Sequence, residues 1–406
     1  MRSFETDVLV IGGGGAGAMA AYEATKHGAR VAMVLKGLPQ RCGNTVLAPG
    51  AIASVGDWHV PGDSRDLHFS DTVRGGAFMN EQSLARILVE ESPERIVELE
   101  RIGALWQRES DDVRYSLRID GGHSFHRSPY LEDRTGREML RALFGEVRKR
   151  NIPILSNTMV LKILTRDGRV NGAAALNLES LEPVLLRAGA VILACGGAGN
   201  LYLNTTNPAG ATGDGFKLAL DAGADLMDME FVQFYPLGFL FPDSLRGCLG
   251  GLLYYLRLLN NAGERFMKNY DPERLELSTR DRVSRAICTE VREGRGGPLG
   301  GVFADMSYHE PGFIDKAMPA MCKIYRFIGV EPTRDPVEVA PTCHFFMGGV
   351  KVDTNWQATL PGLFAAGETS SGAHGANRLS QNALAELLVS GSRAGRTAAR
   401  TARENP

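Results

Sequence analysis

The pattern of apolar and polar positions at the start of the chain predicts an α/β fold. Residues 7–11 (DVLVI) and residues 30–35 form two short apolar runs. Between these runs lie the segment GGGGAG and a stretch of small residues over 16–27 that is typical of a helix. Short, wholly apolar runs are typical of buried parallel strands. A strand, a glycine turn, a helix and a second strand in this order predict one βαβ unit.

The pattern changes twice further along the chain. Residues 152–178 are rich in strand-forming positions, with a hairpin turn at DGRVNG. Residues 232–341 contain more Arg, Tyr and Met and have no glycine-rich phosphate loop, and the glycine-rich style returns from 342 onward. We therefore expect one domain in two parts, 1–231 and 342–406, interrupted by an inserted domain over 232–341.

Composition excludes several classes of protein. The chain has 406 residues, of which 44% are hydrophobic and 23% charged, as in an ordinary globular protein of two domains. A net charge of -2 argues against nucleic-acid binding. Six cysteines without CxxC spacing argue against a zinc ribbon or an iron–sulfur site and are typical of reduced thiols. Because we find neither a signal peptide nor an apolar run of ~20 residues, we expect a cytoplasmic protein without a transmembrane segment, or one held at a membrane through a partner.

The glycine-rich turn carries the first candidate chemistry. Gly12, Gly14 and Gly17 form a G-x-G-x-x-G pattern between a predicted strand and a predicted helix. In that context the pattern indicates a dinucleotide site, with the pyrophosphate at the positive end of the helix dipole. The acidic residue that usually follows about twenty positions later is missing, and the second strand ends at Lys36. We expect Lys36 to contact adenosine or phosphate, although a solvated charge is the simpler alternative.

Eight motifs extend this interpretation over almost the whole chain. They are DVLVIGGGGAG, RCGNTVLAPGAI, TTNPAGATGDG, MEFVQFYP, GERFM, STRDRVSRAI, PTCHFFMGGV and GLFAAGETSSGAHGANRLSQNAL. In these motifs the chain resembles the flavoprotein subunits of succinate dehydrogenase and fumarate reductase, together with L-aspartate oxidase. The resemblance runs from Asp7 to about Ala398. It implies an α/β protein with a Rossmann-like FAD-binding domain, interrupted by a capping domain.

The resemblance also implies a set of FAD contacts. They are Gly12, Gly14, Ala16, Gly17, Lys36, Asn44, Thr45, Gly50, Asp214, Glu368, Arg378, Ala383 and Leu384. Asp214 and Glu368 are suited to accept hydrogen bonds from ribityl or ribose hydroxyls, although a turn-forming Asp and a helix-capping Glu are alternatives. Asn44 stands where membrane-bound members carry flavin on a His. Because Asn lacks a nucleophilic ring nitrogen, we expect non-covalent FAD, which favours alkene reduction or oxidation by oxygen over succinate oxidation.

For catalysis, the resemblance points to side chains from several motifs. His344 and Arg378 are the expected ligands for a substrate carboxylate, since Arg offers a planar fork. Arg280 aligns with the proton-delivering arginine of the family. Asp243 and Arg246 match a shortened form of its proton relay. A surface ion pair and an ordinary helix arginine are the alternatives for these three residues.

Two substitutions change the predicted substrate site. Tyr235 replaces a family histidine that binds carboxylate, and Tyr can donate only a neutral hydrogen bond. Pro242 replaces a threonine and offers no side-chain donor. One of the two pockets for a C4 dicarboxylate is thus altered. A monocarboxylate, or an acid with a bulkier second end, fits these changes better than fumarate.

These observations predict an FAD-dependent oxidoreductase that transfers hydride between flavin N5 and the C–C bond next to a carboxylate. One alternative is an amino-acid oxidase of the L-aspartate oxidase kind. Another is a flavin-holding electron-transfer subunit of a larger complex. Larger relatives continue with a further helical domain, and we expect this chain to lack it. Electrons are then expected to pass through a separate iron–sulfur or other electron-transfer protein.

Overall fold

The computed structural model describes residues 2–118 and 121–404. In these ranges the strands are β1 Arg2–Ile11, β2 Val31–Val34, β3 Leu117–Arg118, β4 Ser128–Pro129, β5 Ile154–Leu155, β6 Thr158–Arg166, β7 Arg169–Asn177, β8 Pro183–Leu193, β9 Leu226–Met227, β10 Val232–Phe239, β11 Arg257–Leu259, β12 Val302–Asp305, β13 Val337–Phe346, β14 Gly349–Val350 and β15 Leu363–Ala365. The helices are α1 Gly15–Lys26, α2 Asn44–Leu47, α3 Arg65–Gly75, α4 Gln82–Arg101, α5 Thr135–Lys149, α6 Asp214–Asp221, α7 Met267–Tyr270, α8 Arg280–Arg292, α9 Phe313–Ala317, α10 Pro319–Phe327 and α11 Asn382–Glu404.

The larger sheet has the strand order β5-β2-β1-β8-β7-β6, with β15 also paired to β8. The pairs among β5, β2, β1, β8 and β15 are parallel, which confirms the predicted βαβ unit. The predicted hairpin is also confirmed, as the antiparallel pair β6 and β7. The first strand begins five residues before the apolar run at residue 7, because residues 2–6 pair with residues 184–188 of β8.

Two helices of small residues cover one face of this sheet. Ala18 and Ala20 of α1 and Ala394 and Ala398 of α11 are fully buried in one hydrophobic cluster. Small side chains let two helices approach closely. The last helix of the chain therefore packs beside the first, which brings the segment just before α11 to the glycine-rich turn.

A second, antiparallel sheet has the order β10-β13-β12-β11 and carries its own hydrophobic cluster with α8. Strand β13 runs straight through the predicted domain boundary between residues 341 and 342, so the boundary falls inside a strand. Tyr235 of β10 pairs with Thr342 of β13. His344, two residues further along β13, is therefore near Tyr235. Among the described residues, no helix is both long and apolar enough to cross a membrane.

Candidate functional site

A cavity of about 1010 Å³ lies between the loops of the larger sheet and the second sheet. Its glycine-loop end is formed by Gly12–Ala16, Lys36, Asp214 and Glu368. Its cationic end is formed by Tyr235, Arg280, His344 and Arg378. Ligand sites usually measure ~300–1,000 Å³, so this cavity can accept a large cofactor together with a small substrate.

Close backbone contacts shape the glycine-loop end. Gly12 has a φ of +113°, and a Cβ atom at this position would overlap the Ala194 carbonyl group. A Cβ atom at Gly17 would overlap the Gly12 carbonyl oxygen, so Gly17 lets α1 pack tightly on β1. Gly14 is the N-cap of α1 and supplies no side-chain cap. The positive end of the α1 dipole thus faces the cavity without a bulky side chain in front of it, as a pyrophosphate requires.

Lys36 and Asp214 form an ion pair at this end of the cavity. The Lys36 Nζ atom lies 2.8 Å from Asp214 Oδ2 and 2.8 Å from Thr212 Oγ1. The two side chains are 35% and 23% exposed, so the pair is only partly screened by water. Asp214, the first residue of α6, thus places a carboxylate beside Lys36, close to the end of β2.

Asn44 and Glu368 meet on the cavity wall. Asn44 Nδ2 donates to Glu368 Oε2 at 2.9 Å and to Asn207 Oδ1 at 2.6 Å. Burial raises the pKa of Glu368, and the hydrogen bonds from the Phe346 amide and from Asn44 partly offset this effect. The amide of Asn44 is therefore already engaged with protein groups, and it holds the Glu368 carboxylate in place.

Nearly all the predicted cofactor residues line this one cavity. They are Gly12, Gly14, Ala16, Lys36, Asn44, Thr45, Gly50, Asp214, Glu368, Arg378, Ala383 and Leu384. Gly17 does not line it and acts through helix packing instead. Thr45 Oγ1 accepts a hydrogen bond from the Gly15 amide at 3.1 Å, which ties the 43–50 segment to the start of α1. The donors and acceptors at this end fit a dinucleotide.

At the cationic end, two arginines share one acceptor. The Oε1 atom of Gln233 accepts from Arg280 Nη1 at 3.1 Å and from Arg378 Nη2 at 2.8 Å. Arg280 Nη2 also donates to Ser380 Oγ at 3.0 Å. Gln233 is only 3% exposed. Because the Gln233 amide is neutral, it fixes both guanidinium groups without cancelling their positive charge. Their attraction for an anion is therefore preserved.

The surroundings of His344 favour its neutral form. Desolvation lowers its pKa well below the ordinary value, and the positive charges of Arg280 and Arg378 lower it further. Its Nδ1 atom lies 2.7 Å from Thr206 Oγ1. When the Thr206 hydroxyl donates to Nδ1, the ring proton is on Nε2. The neutral imidazole can then donate one hydrogen bond to a carboxylate beside the two arginines.

Tyr235 contributes its ring rather than its hydroxyl. The Tyr235 hydroxyl donates to the Gly251 carbonyl oxygen at 3.0 Å, so the structure gives it a partner other than the expected substrate carboxylate. The centre of the Tyr235 ring lies 5.1 Å from the centre of the His344 ring. The Arg280 guanidinium carbon lies 4.9 Å from the centre of the Tyr235 ring. Tyr235 therefore gives this end of the cavity an aromatic wall that attracts the Arg280 cation.

The structure does not bring Asp243 and Arg246 to Arg280. Arg246 Nη2 donates to Asp243 Oδ1 at 2.8 Å, and the Arg246 and Asp243 side chains are 37% and 89% exposed, respectively. Between described residues, no hydrogen bond joins this pair to Arg280. The physical reason is the path of the chain, because a surface turn at Asp243–Leu245 directs the carboxylate into solvent. In this structure the pair has the geometry of a surface ion pair.

Four polar residues of the site were not singled out from the sequence. They are Thr206, Gln233, Asn377 and Ser380. All four lie inside or next to the quoted motifs. Gln233 carried the clearest signal, since it is a polar residue between Val232 and Phe234 in a strand that is otherwise apolar. A buried amide in such a strand must find hydrogen-bond partners.

Within the described ranges, no group of three or more His, Cys, Asp or Glu side chains is placed to hold a metal ion.

Residues 7–384 match the family described as FAD binding domain. In Methanothermobacter marburgensis, one chain of the fumarate reductase (CoM/CoB) is 46% identical, with 98% of this chain and 73% of that protein covered. The fumarate reductase flavoprotein subunit of Escherichia coli is 37% identical, with 98% of this chain and 68% of that protein covered.

Solved structures give the same result. A structure of E. coli quinol fumarate reductase FrdA has a TM-score of 0.94 at 36% identity, and it covers all of this chain and 72% of that one. Mycobacterium smegmatis Sdh1 has a TM-score of 0.86 at 40% identity, with coverages of 100% and 70%. The predicted fold and the predicted FAD cofactor agree with these matches. The chain belongs to the fumarate reductase and succinate dehydrogenase flavoprotein family of FAD-dependent oxidoreductases, which act on the CH–CH group of a carboxylic acid.

Proposed function

We propose that this protein reduces the carbon–carbon double bond of an unsaturated organic acid. When bound and reduced by the electron donor, FAD would supply a hydride from N5 and return to its oxidised form. Arg378 and the neutral His344 hold the substrate carboxylate, and Arg280 gives a proton from its guanidinium group to the neighbouring carbon. The observation that carries the proposal is that Arg280 and Arg378, which both line the cavity that begins at the glycine loop, are held by the same Gln233 oxygen.

We propose further that the FAD is bound non-covalently. Asn44 has no ring nitrogen that can attack a flavin, and its amide donates to Glu368 and Asn207. Gly12, Gly14 and the N-terminus of α1 would hold the pyrophosphate. Lys36 and the carboxylate groups of Asp214 and Glu368 would contact the adenosine and ribityl parts of the cofactor. Gentle acid precipitation should therefore release a yellow supernatant.

The second end of the acid is held by apolar contacts. The Tyr235 hydroxyl is bonded to the main chain, and Phe239, Leu249 and Leu252 line the same cavity. These side chains suit an alkyl or aryl group better than a second carboxylate. We expect crotonate or cinnamate to be reduced with a kcat/KM at least equal to that of fumarate. A preference for fumarate of more than about a hundredfold would contradict this assignment.

Electrons come from a separate protein. The M. marburgensis and E. coli relatives are both named as subunits, which supports an assembly in which an iron–sulfur or other electron-transfer protein feeds the flavin. Reduced viologen should therefore replace the natural donor in an assay.

Residues 232–341 act as the cap, because Tyr235 and Arg280 of this segment meet Arg378 of the surrounding domain over one cavity.

The test is a stopped-flow experiment with the purified yellow protein. The protein is reduced anaerobically and then mixed with fumarate, crotonate, cinnamate or air-saturated buffer. We expect rapid reoxidation by at least one acid and slow reoxidation by oxygen. Arg280→Ala should keep its flavin and lose turnover by about a thousandfold. Wild-type turnover in that variant would overturn the role of Arg280, and reoxidation by oxygen alone would identify an oxidase.

A further inference from the structure

The first turn of α8 is fastened to the loop over residues 377–380 at two points. Arg280 Nη2 donates to Ser380 Oγ at 3.0 Å. Asn377 Nδ2 donates to Asp281 Oδ1 at 3.1 Å. Two consecutive helix residues thus hold the two ends of a short loop that carries Arg378 between them. Through these bonds the second sheet's helix is joined to the loop that completes the cationic end.

Asn377 connects this joint to the arginine clamp. Its Oδ1 atom accepts from Gln233 Nε2 at 2.8 Å, and its Nδ2 atom also lies 3.2 Å from the Gly75 carbonyl oxygen. Gln233 in turn accepts from Arg280 and Arg378. A continuous series of hydrogen bonds therefore runs from Asp281 through Asn377 and Gln233 to Arg280, the residue that precedes Asp281 in the chain.

We propose that Asp281 is a positioning residue for Arg280. Its carboxylate oxygen anchors Asn377, which keeps Gln233 oriented and the first turn of α8 in register with the loop. The proposal rests on the proposed role of Arg280 in proton delivery. Small displacements of a catalytic group are costly to rate, because the reacting atoms must meet at close range. The Asp281 side chain is 33% exposed, so water can replace part of this bond and the effect is moderate.

Asp281 also forms an ion pair with Arg285, with 2.5 Å between Arg285 Nη2 and Asp281 Oδ2. In addition, it lies in the first turn of α8, where a negative charge interacts favourably with the helix dipole. Three variants of the holoenzyme separate these contributions. Asp281→Leu removes the charge and the acceptor. Asp281→Asn removes the charge but keeps an oxygen that can accept from Asn377. Arg285→Ala removes the ion pair and leaves the bond to Asn377 intact.

We expect Asp281→Leu to lower kcat about tenfold, with KM changed less than threefold, because Arg378 and His344 still bind the acid. Asp281→Asn and Arg285→Ala should stay within about threefold of wild type. Amide hydrogen exchange should rise in Asp281→Leu at the start of α8 and in residues 377–380, but not in the other two variants. If Asp281→Leu does not fold with flavin, Asp281→Ser replaces it, since its side chain is too short to reach Asn377.

Either of two results with the single variants would overturn the positioning role. One is an Asp281→Leu variant with wild-type kcat, and the other is an Asp281→Asn variant as impaired as Asp281→Leu. In an Arg280→Ala background, Asp281→Leu should cause no further loss, since both changes act through the same group. An additive loss would also contradict the proposal. If Arg280→Ala itself is fully active, the proposed role of Arg280 in proton delivery fails; if only Asp281→Leu is fully active, the positioning role of Asp281 alone fails.

Discussion

The two ends of the cavity treat charge in different ways. At the glycine-loop end, Lys36 is paired with Asp214, and the Glu368 carboxylate accepts from Asn44. At the cationic end, two guanidinium groups converge on the neutral oxygen of Gln233. Paired charges suit a cofactor that is kept through every turnover. Cations held by a neutral acceptor suit an anionic substrate that must bind and leave, because the Gln233 amide itself carries no charge that would offset their attraction.

The largest effect should come from giving Gln233 a charge. Gln233→Glu places a carboxylate against both Arg280 and Arg378, which neutralises part of the field that attracts the acid. We expect kcat/KM to fall about a hundredfold, mainly through a higher KM, while flavin content is unchanged. Steady-state kinetics with a reduced viologen donor measure this change. Gln82→Glu, the same substitution at an exposed helix start, should leave kcat/KM unaffected.

The Gln233 experiment also has a stability readout. The new carboxylate gains attraction from two guanidinium groups but loses the Nε2 donor that binds Asn377 Oδ1 and the Arg378 carbonyl oxygen, so we expect a modest fall in melting temperature. Loss of flavin, or of a cooperative melting transition, would show that the variant is misfolded. Unchanged kcat/KM in a folded variant would contradict the comparison between the two ends of the cavity.

The next effect concerns Glu386, which lies on α11 behind the glycine-loop end and is 3% exposed. Burial raises the pKa of Glu386 from 4.5 to about 7. Between pH 4.5 and about 7, the Glu386 carboxyl is therefore protonated in the folded protein but ionised in the unfolded chain. Unfolding releases that proton, so stability is greatest below pH 4.5 for this group and falls as the pH rises through about 7.

Glu386→Gln should remove this dependence. Urea unfolding of the variant should show a flatter profile between pH 5 and 8 and a gain on the order of 2 kcal/mol at pH 8 relative to wild type. Glu94→Gln, at a side chain that is 72% exposed, is the matched control and should keep the wild-type slope. The same slope in Glu386→Gln and wild type would show that Glu386 is ionised in the folded protein at neutral pH.

A smaller effect is expected at Lys36. Lys36→Met leaves the Asp214 carboxylate without its cationic partner. This carboxylate would then lie unpaired beside the expected position of the negatively charged cofactor. We expect the Kd for FAD to rise about tenfold, measured by quenching of FAD fluorescence with the flavin-free protein. Lys162→Met, at an exposed position in β6, should not change the Kd. An unchanged Kd in Lys36→Met would mean that the pair only braces the loop.

The smallest effect is expected at Arg246. Because its pair with Asp243 is exposed to solvent, Arg246→Ala should lower kcat less than about threefold. The measurement is the viologen-linked assay that is used for Arg280→Ala. A loss near that of Arg280→Ala would instead indicate that the turn folds inward when substrate binds and forms the relay expected from the sequence.

Much of the fold was predictable because it depends on local patterns. The βαβ unit, the hairpin after residue 157 and the glycine turn each occupy neighbouring residues, whose periodicity encodes backbone geometry. The start of β1 was not predictable in this way, since residues 2–6 are extended only through pairing with β8. Strand β13 continues past the expected boundary at 341 because its partner β10 lies opposite on both sides of it.

The sequence by itself determined which side chains are available: the glycines of the turn, Lys36, Arg280, His344 and Arg378. Tertiary structure alone decided their partners. Gln233 and Arg378 are 145 positions apart and share a hydrogen bond, whereas Asp243 and Arg246 are three apart and point into solvent. Local patterns restrict the backbone, but a side chain's partner depends on how distant segments pack, and on how much water that packing excludes.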